Sequence, residues 1–368
     1  MKKKVCHITT VHHTYDTRIF YRQCTSLVRN GYEVHLIVVN QEKAEEKNGI
    51  IIHNLRVDMS NRLQRMFKAS QAALAKALEI DADLYHFHDP ELLSMGLQLR
   101  RRNKVVIYDI HENVPLQMYS KPYLPALLKP VVSQGVKWVE DYAAPKMSGL
   151  VSAWPKIEER FGKIHDRVVG IYNFPEVDFL HQAPRAVPKT RDICFVGLIN
   201  EVRGIRQMLD MLSEVDARLT LVGYFPTTEL ERSVRQHPNW DRVEFMGFQN
   251  RERVAEILQS SRVGMATFLP DPNYLFAYPN KIFEYMAAEL PVVASHFPFW
   301  MEIVEGSRCG IGVDPEDVGA IAAAVRQILE APKTALAMGR RGREAVEREY
   351  NWLAQEKKLV QFYERLLA

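Results

Sequence analysis

Two segments of the chain place histidines beside carboxylates, each directly after an apolar run. The first, at positions 84–90, contains His88 and Asp89, and the second, at 105–113, contains His111. Ligands of a parallel α/β sheet bind beyond the carboxyl ends of its strands, so both groups are candidates for a site. Such side chains can bind hydroxyls, move protons or ligate a metal. Neither segment has HExxH or another fixed metal-ligand spacing, so we expect no metal.

A polar loop near the amino terminus is a third candidate. It leads into a predicted helix and contains Thr10, His12, His13, Asp16 and Arg18. The free N–H groups at a helix N-terminus favour an anion, so the loop is a candidate anion-binding site. The alternative is a capped helix start, because Asp and Thr are common N-cap residues.

A glycine and a cation in the second half of the chain suit a phosphate. Gly197 follows the predicted strand 193–196, and Arg203 lies where the next helix is predicted to begin. The segment has neither the GxGxxG nor the P-loop pattern, so by itself it is not diagnostic.

A second helix N-terminus with a cation is predicted further along. Pro279 and Asn280 open this helix, with Lys281 in its first turn and Glu284 one turn later. Because a carboxylate accepts two hydrogen bonds at once, Glu284 is suited to the hydroxyl pair of a ribose beside a bound diphosphate.

Short apolar, β-branched runs alternate with helical periodicity along the whole chain, which predicts two parallel, doubly wound domains. In the first half, a helix at 18–30 ends at Asn30-Gly31, and strands are predicted at 5–8, 34–39, 84–87, 105–108 and 168–171. A proline-containing irregular stretch at 174–191 predicts a linker. The second half has predicted strands at 193–196, 219–222, 243–245, 263–266 and 292–294, and a final helix at 352–367.

Composition narrows the class of protein. With 47% hydrophobic and 25% charged residues, the 368 residues suit two globular domains. A net charge of +3 is too small to indicate nucleic-acid binding without clustering. The 4 scattered cysteines, with no CxxC pair, favour a reducing, cytoplasmic location. We expect no signal peptide and no spanning helix, since no apolar run is long enough.

Several motifs in the second half resemble the retaining glycosyltransferases of family four, which have the GT-B fold. They are FVGLINEVRG, LTLVG at 219–223, VEFMGF at 243–248 and the segment 279–295. The first half is similar more loosely, through NGYEV at 30–34, HFHDP at 86–90 and DIHEN at 109–113. The resemblance implies two Rossmann-like domains facing each other across a cleft. It gives an acceptor-side domain at 1–175, a linker at 176–190, a nucleotide-sugar domain at 191–350, and a last helix at 351–368 that packs back towards the first domain.

The resemblance also implies roles for individual residues. Glu284 matches the glutamate that holds the donor ribose, Arg203 takes the place of a diphosphate-binding lysine, and His111 matches a histidine beside the transferred sugar. The catalytic candidates are therefore His111, Asp271 and Arg203. The donor-binding candidates are Gly197, Arg203, Gly223, Phe248, Tyr278, Pro279, Asn280, Lys281 and Glu284. The amino-terminal loop, with His88 and Asp89, is assigned to the acceptor or donor.

Three positions depart from the family pattern. Phe276 replaces the first glutamate of a pair, a contact that Asp271 is a candidate to supply. Leu198 replaces a phosphate-binding arginine, for which Lys281 can substitute, and Glu289 stands where a glycine usually caps the helix. The departures leave sugar identity and the level of activity open.

The implied function is transfer of a sugar from a UDP- or GDP-sugar to a glycan or lipid-linked acceptor, with retention of configuration and without a metal. Cell-surface polysaccharide biosynthesis is the implied setting. A GT-B epimerase of nucleotide sugars and an inactive nucleotide-sugar-binding scaffold are the alternatives, because a fold alone does not fix chemistry.

Two basic, amphipathic stretches predict peripheral contact with an anionic membrane. One is 56–76, with Arg62, Arg65 and Lys68, and the other is 114–139, with Lys121, Lys129 and Lys137. Ordinary surface helices with one core-facing stripe are the alternative interpretation.

Overall fold

The computed structural model describes residues 2–40, 46–57, 62–120, 124–176, 188–275 and 277–368, with backbone only at 62–66, 120, 272 and 273. These residues form two compact units. Unit 1 comprises Met1–Asn173 and Leu353–Ala368, and unit 2 comprises Phe174–Trp352. Positions 177–187 of the expected linker lie outside the described residues.

Unit 1 is built on a single mixed sheet. Its described strands are β1 (Lys4–Ile8), β2 (Glu33–Val39), β3 (Glu46–Lys47), β4 (Ile50–Leu55), β5 (Leu84–Phe87), β6 (Val105–Ile110), β7 (Gly149–Ser152) and β8 (Val168–Gly170). They lie in the order β3-β4-β2-β1-β5-β6-β7-β8. All neighbours are parallel except β3 and β4. The central strands are almost wholly buried, which explains their continuous apolar sequences.

The helices of unit 1 fill the connections between these strands. They are α1 (Thr25–Arg29), α2 (Arg62–Ile80), α3 (Leu93–Arg100), α4 (Val114–Ser120), α5 (Lys129–Ala143) and α6 (Pro155–Gly162). A π-helix, Thr17–Cys24, precedes α1, so the predicted helix 18–30 is right in position but has a wider first part. Gly31 has a φ of +86° and ends the helix as expected.

Unit 2 is built on an all-parallel sheet among the described residues. Its strands are β9 (Arg191–Leu198), β10 (Leu219–Tyr224), β11 (Val243–Phe245), β12 (Ser261–Ala266), β13 (Val292–Ser295) and β14 (Gly310–Val313), in the order β11-β10-β9-β12-β13-β14. Its helices are α7 (Ile205–Asp210), α8 (Thr228–Arg235), α9 (Arg251–Ser260), α10 (Pro272–Leu275), α11 (Asn280–Ala287), α12 (Pro298–Val304), α13 (Val318–Glu330) and α14 (Pro332–Arg348).

The last helix, α15 (Trp352–Leu367), has the bounds that the sequence predicts. From Leu353 onwards it belongs to unit 1. It packs closely on β7, since a Cβ on Gly149 would lie 2.5 Å from the ring of Phe362. Tyr363 is fully buried in the same unit. A segment from the end of the chain thus completes the core of the first unit.

Candidate functional site

In unit 2, two cations converge on one glycine at the end of β9. A Cβ on Gly197 would lie 2.8 Å from Nζ of Lys281 and 3.3 Å from Nη1 of Arg203. Gly197 has a φ of +129°, which also favours glycine. The prediction that the strand ends before Gly197 is wrong, because β9 continues through it to Leu198. The glycine therefore leaves open the space that both cations reach.

Gly223 makes the close approach of two strands possible. It pairs with Gly197 across β10 and β9 and has a φ of +137°. A Cβ at Gly223 would lie 2.7 Å from the carbonyl carbon of Gly197 and would overlap its oxygen. Gly223 is buried, so its visible role is to shape the backbone beside the two cations.

Lys281 lies in the first turn of α11 and is 8% exposed. Its ammonium donates a hydrogen bond to the carbonyl of Val196 and lies 4.3 Å from the centre of the Phe195 ring. Burial first, and then the charge of Arg203, lowers the pKa of Lys281 to about 7. A bound anion would oppose this shift, since an opposite charge favours the charged ammonium.

Arg203 ends a short 3₁₀ turn, Glu201–Arg203, which is capped by the side chain of Asn200. Its guanidinium lies 5.4 Å from the Phe268 ring, and Nη1 is 3.5 Å from the carbonyl of Leu198. Nε is buried and has no hydrogen-bond partner among the described residues. A buried N–H without a partner is costly, so the geometry suits an acceptor supplied by a ligand.

The remaining predicted donor residues surround the start of α11. Pro279 is the buried N-cap residue, Asn280 is exposed, and Glu284 is half-buried one turn further along. Tyr278 packs its ring 5.6 Å from that of Phe283. Outside this group, Phe248 is 78% exposed after β11, and Asp271 precedes α10. Phe276, one of the departures, lies outside the described residues.

In unit 1, the polar loop holds the protein's own carboxylates. Asp89, at the end of β5, accepts hydrogen bonds from the Thr9 hydroxyl at 2.9 Å and the Thr10 amide at 2.5 Å. Asp16 caps the π-helix by accepting from the amides of Arg18 and Ile19. The expectation of an anion at this helix N-terminus is corrected, because Asp16 already occupies the amides.

The other candidates of the loop lie on its outer side. His12 is half-buried with Nε2 3.4 Å from Asp89, and His13 is exposed. The hydroxyl of Thr10 donates to Glu91 at 2.6 Å. The outer side of the loop thus offers imidazole and hydroxyl groups close to carboxylates. Such a surface suits the hydroxyls of a ligand better than its phosphates.

The expectation that Arg18 binds part of a donor or an acceptor is also corrected. Its side chain is 4% exposed and forms a buried ion pair. Its guanidinium donates to both oxygens of Asp109, at 2.7 and 3.1 Å, and to the carbonyl of Ile171 at 2.6 Å. Gln23 donates to the same carboxylate at 2.8 Å. The wide turn of the π-helix brings positions five residues apart onto one face, so both side chains reach Asp109.

Beside Asp109 runs a set of rings joined end to end by single hydrogen bonds. We call it the histidine chain, and its members in order are His111, His88, His7, Tyr363 and His86. The four links measure 3.1, 2.9, 3.0 and 2.7 Å. The side chain of His111 is 16% exposed, and the other members are buried. The chain therefore runs from a solvent-accessible ring into the core.

The charges around the histidine chain are fixed by burial and by Arg18. Burial lowers the pKa of His7, His86 and His88, so these rings are neutral at pH 7. Burial would raise the pKa of Asp109, but the charge of Arg18 outweighs it and, together with side-chain hydrogen bonds, holds that pKa well below its usual range. Asp109 is thus an anion among neutral rings.

Within the described residues, His86, His88 and Asp109 offer ligand atoms within 4.8 Å of one another, close enough for a metal. Asp109 already carries the guanidinium of Arg18 and the amide of Gln23. Arg18 thus supplies the positive charge that a metal would supply, and the arrangement favours an ion pair.

Five residues of this network are not among the predicted site residues: His7, Gln23, His86, Asp109 and Tyr363. A signal exists for Asp109, because a carboxylate inside an otherwise apolar buried strand needs a partner. No local signal exists for the link between His7 and Tyr363, which are 356 positions apart.

Comparison with known proteins gives matches along most of the chain. Residues 17–174 match the family Glycosyltransferase Family 4, and residues 190–331 match the family Glycosyl transferases group 1. A glycogen synthase of Mycobacterium tuberculosis is 24% identical over 234 residues, which is 60% of this chain and 55% of the synthase. The chain thus spans about half the length of this relative.

Solved structures match over nearly the whole length. A sucrose-phosphate synthase from Thermosynechococcus elongatus has a TM-score of 0.79 at 20% identity, with 99% of both chains covered. The Anabaena protein HepE, crystallised with UDP and glucose, has a TM-score of 0.74 at 14% identity, with 99% of this chain and 100% of its own covered. These likenesses show that the two parallel-sheet α/β units have the GT-B fold.

Proposed function

The chain belongs to the group 1 and family 4 glycosyltransferases, and from this membership we propose that it transfers a hexose from a nucleotide diphosphate sugar, with retention of configuration. A glycan or a lipid-linked sugar is the proposed acceptor, and cell-surface polysaccharide assembly is the proposed setting. The UDP in the HepE structure supports a uridine donor, with a guanosine donor as the second candidate.

One observation carries the proposal: Lys281 and Arg203 converge on the space beside Gly197 without a carboxylate between them. Among the described residues, neither cation forms an ion pair. A leaving diphosphate there would meet a permanent guanidinium charge, an ammonium and the N-terminus of α11. These groups stabilise negative charge as it develops, which is the role that a metal has in other transferases.

The remaining roles follow from position and from the family resemblance. Glu284, one turn along α11, accepts the ribose hydroxyls, and Asp271 is the candidate to contact the donor sugar. His111 lies beside the transferred sugar and binds one of its hydroxyls. The leaving phosphate itself removes the acceptor proton on the same face, so no protein nucleophile is required.

The test compares donor binding and transfer for single variants. Arg203→Ala is expected to slow transfer about 10²- to 10³-fold, as for loss of one preorganised donor. Glu284→Ala is expected to weaken donor binding about 10- to 100-fold, as for loss of charged hydrogen bonds. Arg232→Ala and Glu316→Ala change exposed side chains of the same unit and are the matched controls.

UDP- and GDP-sugars are assayed with and without acceptors by calorimetry and product analysis. Equal turnover by all variants would contradict the site assignment. A donor that changes without any acceptor would identify an epimerase. Tight donor binding without turnover for any acceptor would identify an inactive scaffold.

We also propose that unit 1 rests on an anionic membrane through α5 and the turn before it. Its exposed apolar surface includes Leu127, Leu128, Val131, Trp138, Val139 and Tyr142, of which Leu127 is 91%, Val131 69% and Trp138 68% exposed. Lys137 and Lys146 are exposed beside it. Aromatic rings with flanking lysines suit the headgroup region.

Co-sedimentation with vesicles tests the membrane proposal. Wild-type protein should bind vesicles containing phosphatidylglycerol and not those of phosphatidylcholine alone, and Val131→Ser/Trp138→Ser should bind several-fold less. Leu336→Ser, an exposed leucine of unit 2, is the control. Equal binding by both variants would contradict the proposal. No described helix has the length and hydropathy to span a bilayer. Of the predicted basic residues, Lys121 and the side chains of Arg62 and Arg65 lie outside the described residues.

A further inference from the structure

The histidine chain can carry its hydrogens in two opposite directions. A neutral imidazole has one N–H and one lone pair, and a tyrosine has one O–H, so each link uses one hydrogen. If Tyr363 donates to His86, then His7 donates to Tyr363, and the direction continues outwards until His111 donates from Nε2. The Nδ1 atom of His111 is then a bare acceptor. If Tyr363 donates to His7, every link reverses, and Nδ1 of His111 carries the hydrogen.

Asp109 distinguishes the two directions. In the first, the Nε2–H groups of His86 and His111 face its Oδ2 atom, at 3.6 and 3.4 Å. In the second, those two nitrogens turn lone pairs to the carboxylate, and only the Nδ1–H of His88 faces it, at 3.2 Å. An anion attracts N–H dipoles and repels lone pairs. The first direction places two N–H groups and the lone pair of His88 Nδ1 beside Asp109, and the second places one N–H group and two lone pairs there, so the first direction is favoured.

Tyr363 links the hydrogen-bond direction of His7 to that of His86, because its oxygen contacts both rings, at 3.0 and 2.7 Å. Without the hydroxyl, His86 keeps its contact with Asp109, but it no longer constrains His7. The outer rings then lose one of the two groups that orient them.

We propose that Tyr363, on the last helix, is a positioning residue that fixes His111 in the tautomer with a bare Nδ1, so that His111 accepts a hydrogen bond from a sugar hydroxyl. The proposal rests on the role given to His111 in the proposed function. It adds a residue from the end of the chain that acts on His111 only through His7 and His88.

The test reads the tautomer directly, by long-range ¹H–¹⁵N spectra of protein labelled at histidine and assigned with His111→Gln. In the wild type, Nδ1 of His111 should show the shift of an unprotonated nitrogen. In Tyr363→Phe it should move towards the value for a mixture of tautomers. Tyr32→Phe is the matched control, because its ring packs 5.9 Å from that of Tyr363 but its hydroxyl is outside the chain. If Tyr363→Phe fails to fold, His7→Phe interrupts the chain one link closer and should have the same effect.

Kinetics supply the second measurement. If the two tautomers become equally populated, the fraction of protein that can accept the sugar hydroxyl halves, and the apparent KM for the donor should rise about two-fold with an unchanged kcat. A hydrogen on Nδ1 in the wild type, or an unchanged tautomer in Tyr363→Phe, would overturn the inference. If the tautomer shifts as expected but His111→Gln transfers sugar normally, the positioning by Tyr363 is supported and the proposed role of His111 is refuted. The two can therefore fail separately.

Discussion

Replacing Lys281 with methionine should stabilise unit 2 below neutral pH while weakening diphosphate binding. The pKa of Lys281 falls from 10.5 to about 7 in the folded protein. That difference corresponds to about 5 kcal/mol against the charged form. The lost hydrogen bond to Val196 offsets part of it, so the expected gain is about 1–4 kcal/mol, as for buried charges replaced by apolar groups.

The pH dependence of this gain has a definite sign. The folded pKa lies below the unfolded one, so the unfolded state binds more protons between pH 7 and pH 10.5. Wild-type stability therefore rises with pH across that window, and methionine has no such dependence. The advantage of Lys281→Met should be largest below pH 7 and should shrink steadily above it, as measured by thermal unfolding of both proteins from pH 6 to about 9.5.

Binding of a nucleotide diphosphate should draw a proton onto Lys281. At pH 8, about nine-tenths of a group with a pKa near 7 is neutral, and a diphosphate beside it restores the charged form. Up to about 0.9 proton should be taken up per UDP bound. The phosphates of UDP are themselves ionised at that pH, and Arg203 keeps its charge throughout, so neither contributes.

Calorimetric titration with UDP at pH 8, in two buffers of different ionisation enthalpy, measures this uptake. Lys281→Met should bind more weakly and take up no proton. The reasoning is refuted if the wild type takes up none, or if the variant takes up as much as the wild type. A stability difference that does not change with pH would refute the pKa argument separately.

Three further predictions concern stability, measured by chemical or thermal unfolding. Glu289, exposed after α11, has a φ of +53°, so Glu289→Gly should stabilise the protein by about 0.5–1 kcal/mol, and a loss would contradict the strain argument. Gly223→Ala should destabilise by more than about 3 kcal/mol because its Cβ overlaps the Gly197 carbonyl. Gly247→Ala, at a positive φ in open space, should cost only about 1 kcal/mol, and equal losses would refute the overlap argument. Asp109→Asn should destabilise by about 3–5 kcal/mol because Arg18 keeps a buried charge, and Asp109→Asn/Arg18→Met should recover part of that loss.

Most of the sheet framework can be predicted from the sequence, since buried parallel strands are continuous apolar runs. The run at 34–39 corresponds to β2, and 243–245 corresponds to β11. Four of the described strands were missed: β3 (Glu46–Lys47), β4 (Ile50–Leu55), β7 (Gly149–Ser152) and β14 (Gly310–Val313). Both β7 and β14 are four residues long and begin with glycine, and β3 has only two residues. Gly197 led to the wrong end for the predicted strand at 193–196, because glycine usually interrupts a strand. Here a glycine is required within β9, since two cations occupy the space that a Cβ would fill.

The candidate site can be predicted from the sequence only where neighbouring residues along the chain determine it. The helix start at Pro279 and the cation at Lys281 follow from capping rules and from the order of motifs. The role of Asp109 does not follow, because its partners Arg18 and Gln23 are 91 and 86 positions away and reach it from a π-helix. Sequence periodicity distinguishes helix from strand, but it does not reveal which distant polar side chains will neutralise one another.

The two units differ in which charged side chains already have partners, and this difference bears on where a charged ligand can bind. In unit 1 the carboxylates of Asp16, Asp89 and Asp109 already occupy nearby amides and the Arg18 guanidinium. A phosphate placed there would meet anions whose partners are taken. In unit 2, Arg203 and Lys281 form no ion pair within the described chain, and a buried Nε of Arg203 lacks a partner. The proposed diphosphate is therefore expected to bind to unit 2, whereas the polar loop and His111 of unit 1 are better suited to neutral hydroxyls than to phosphates.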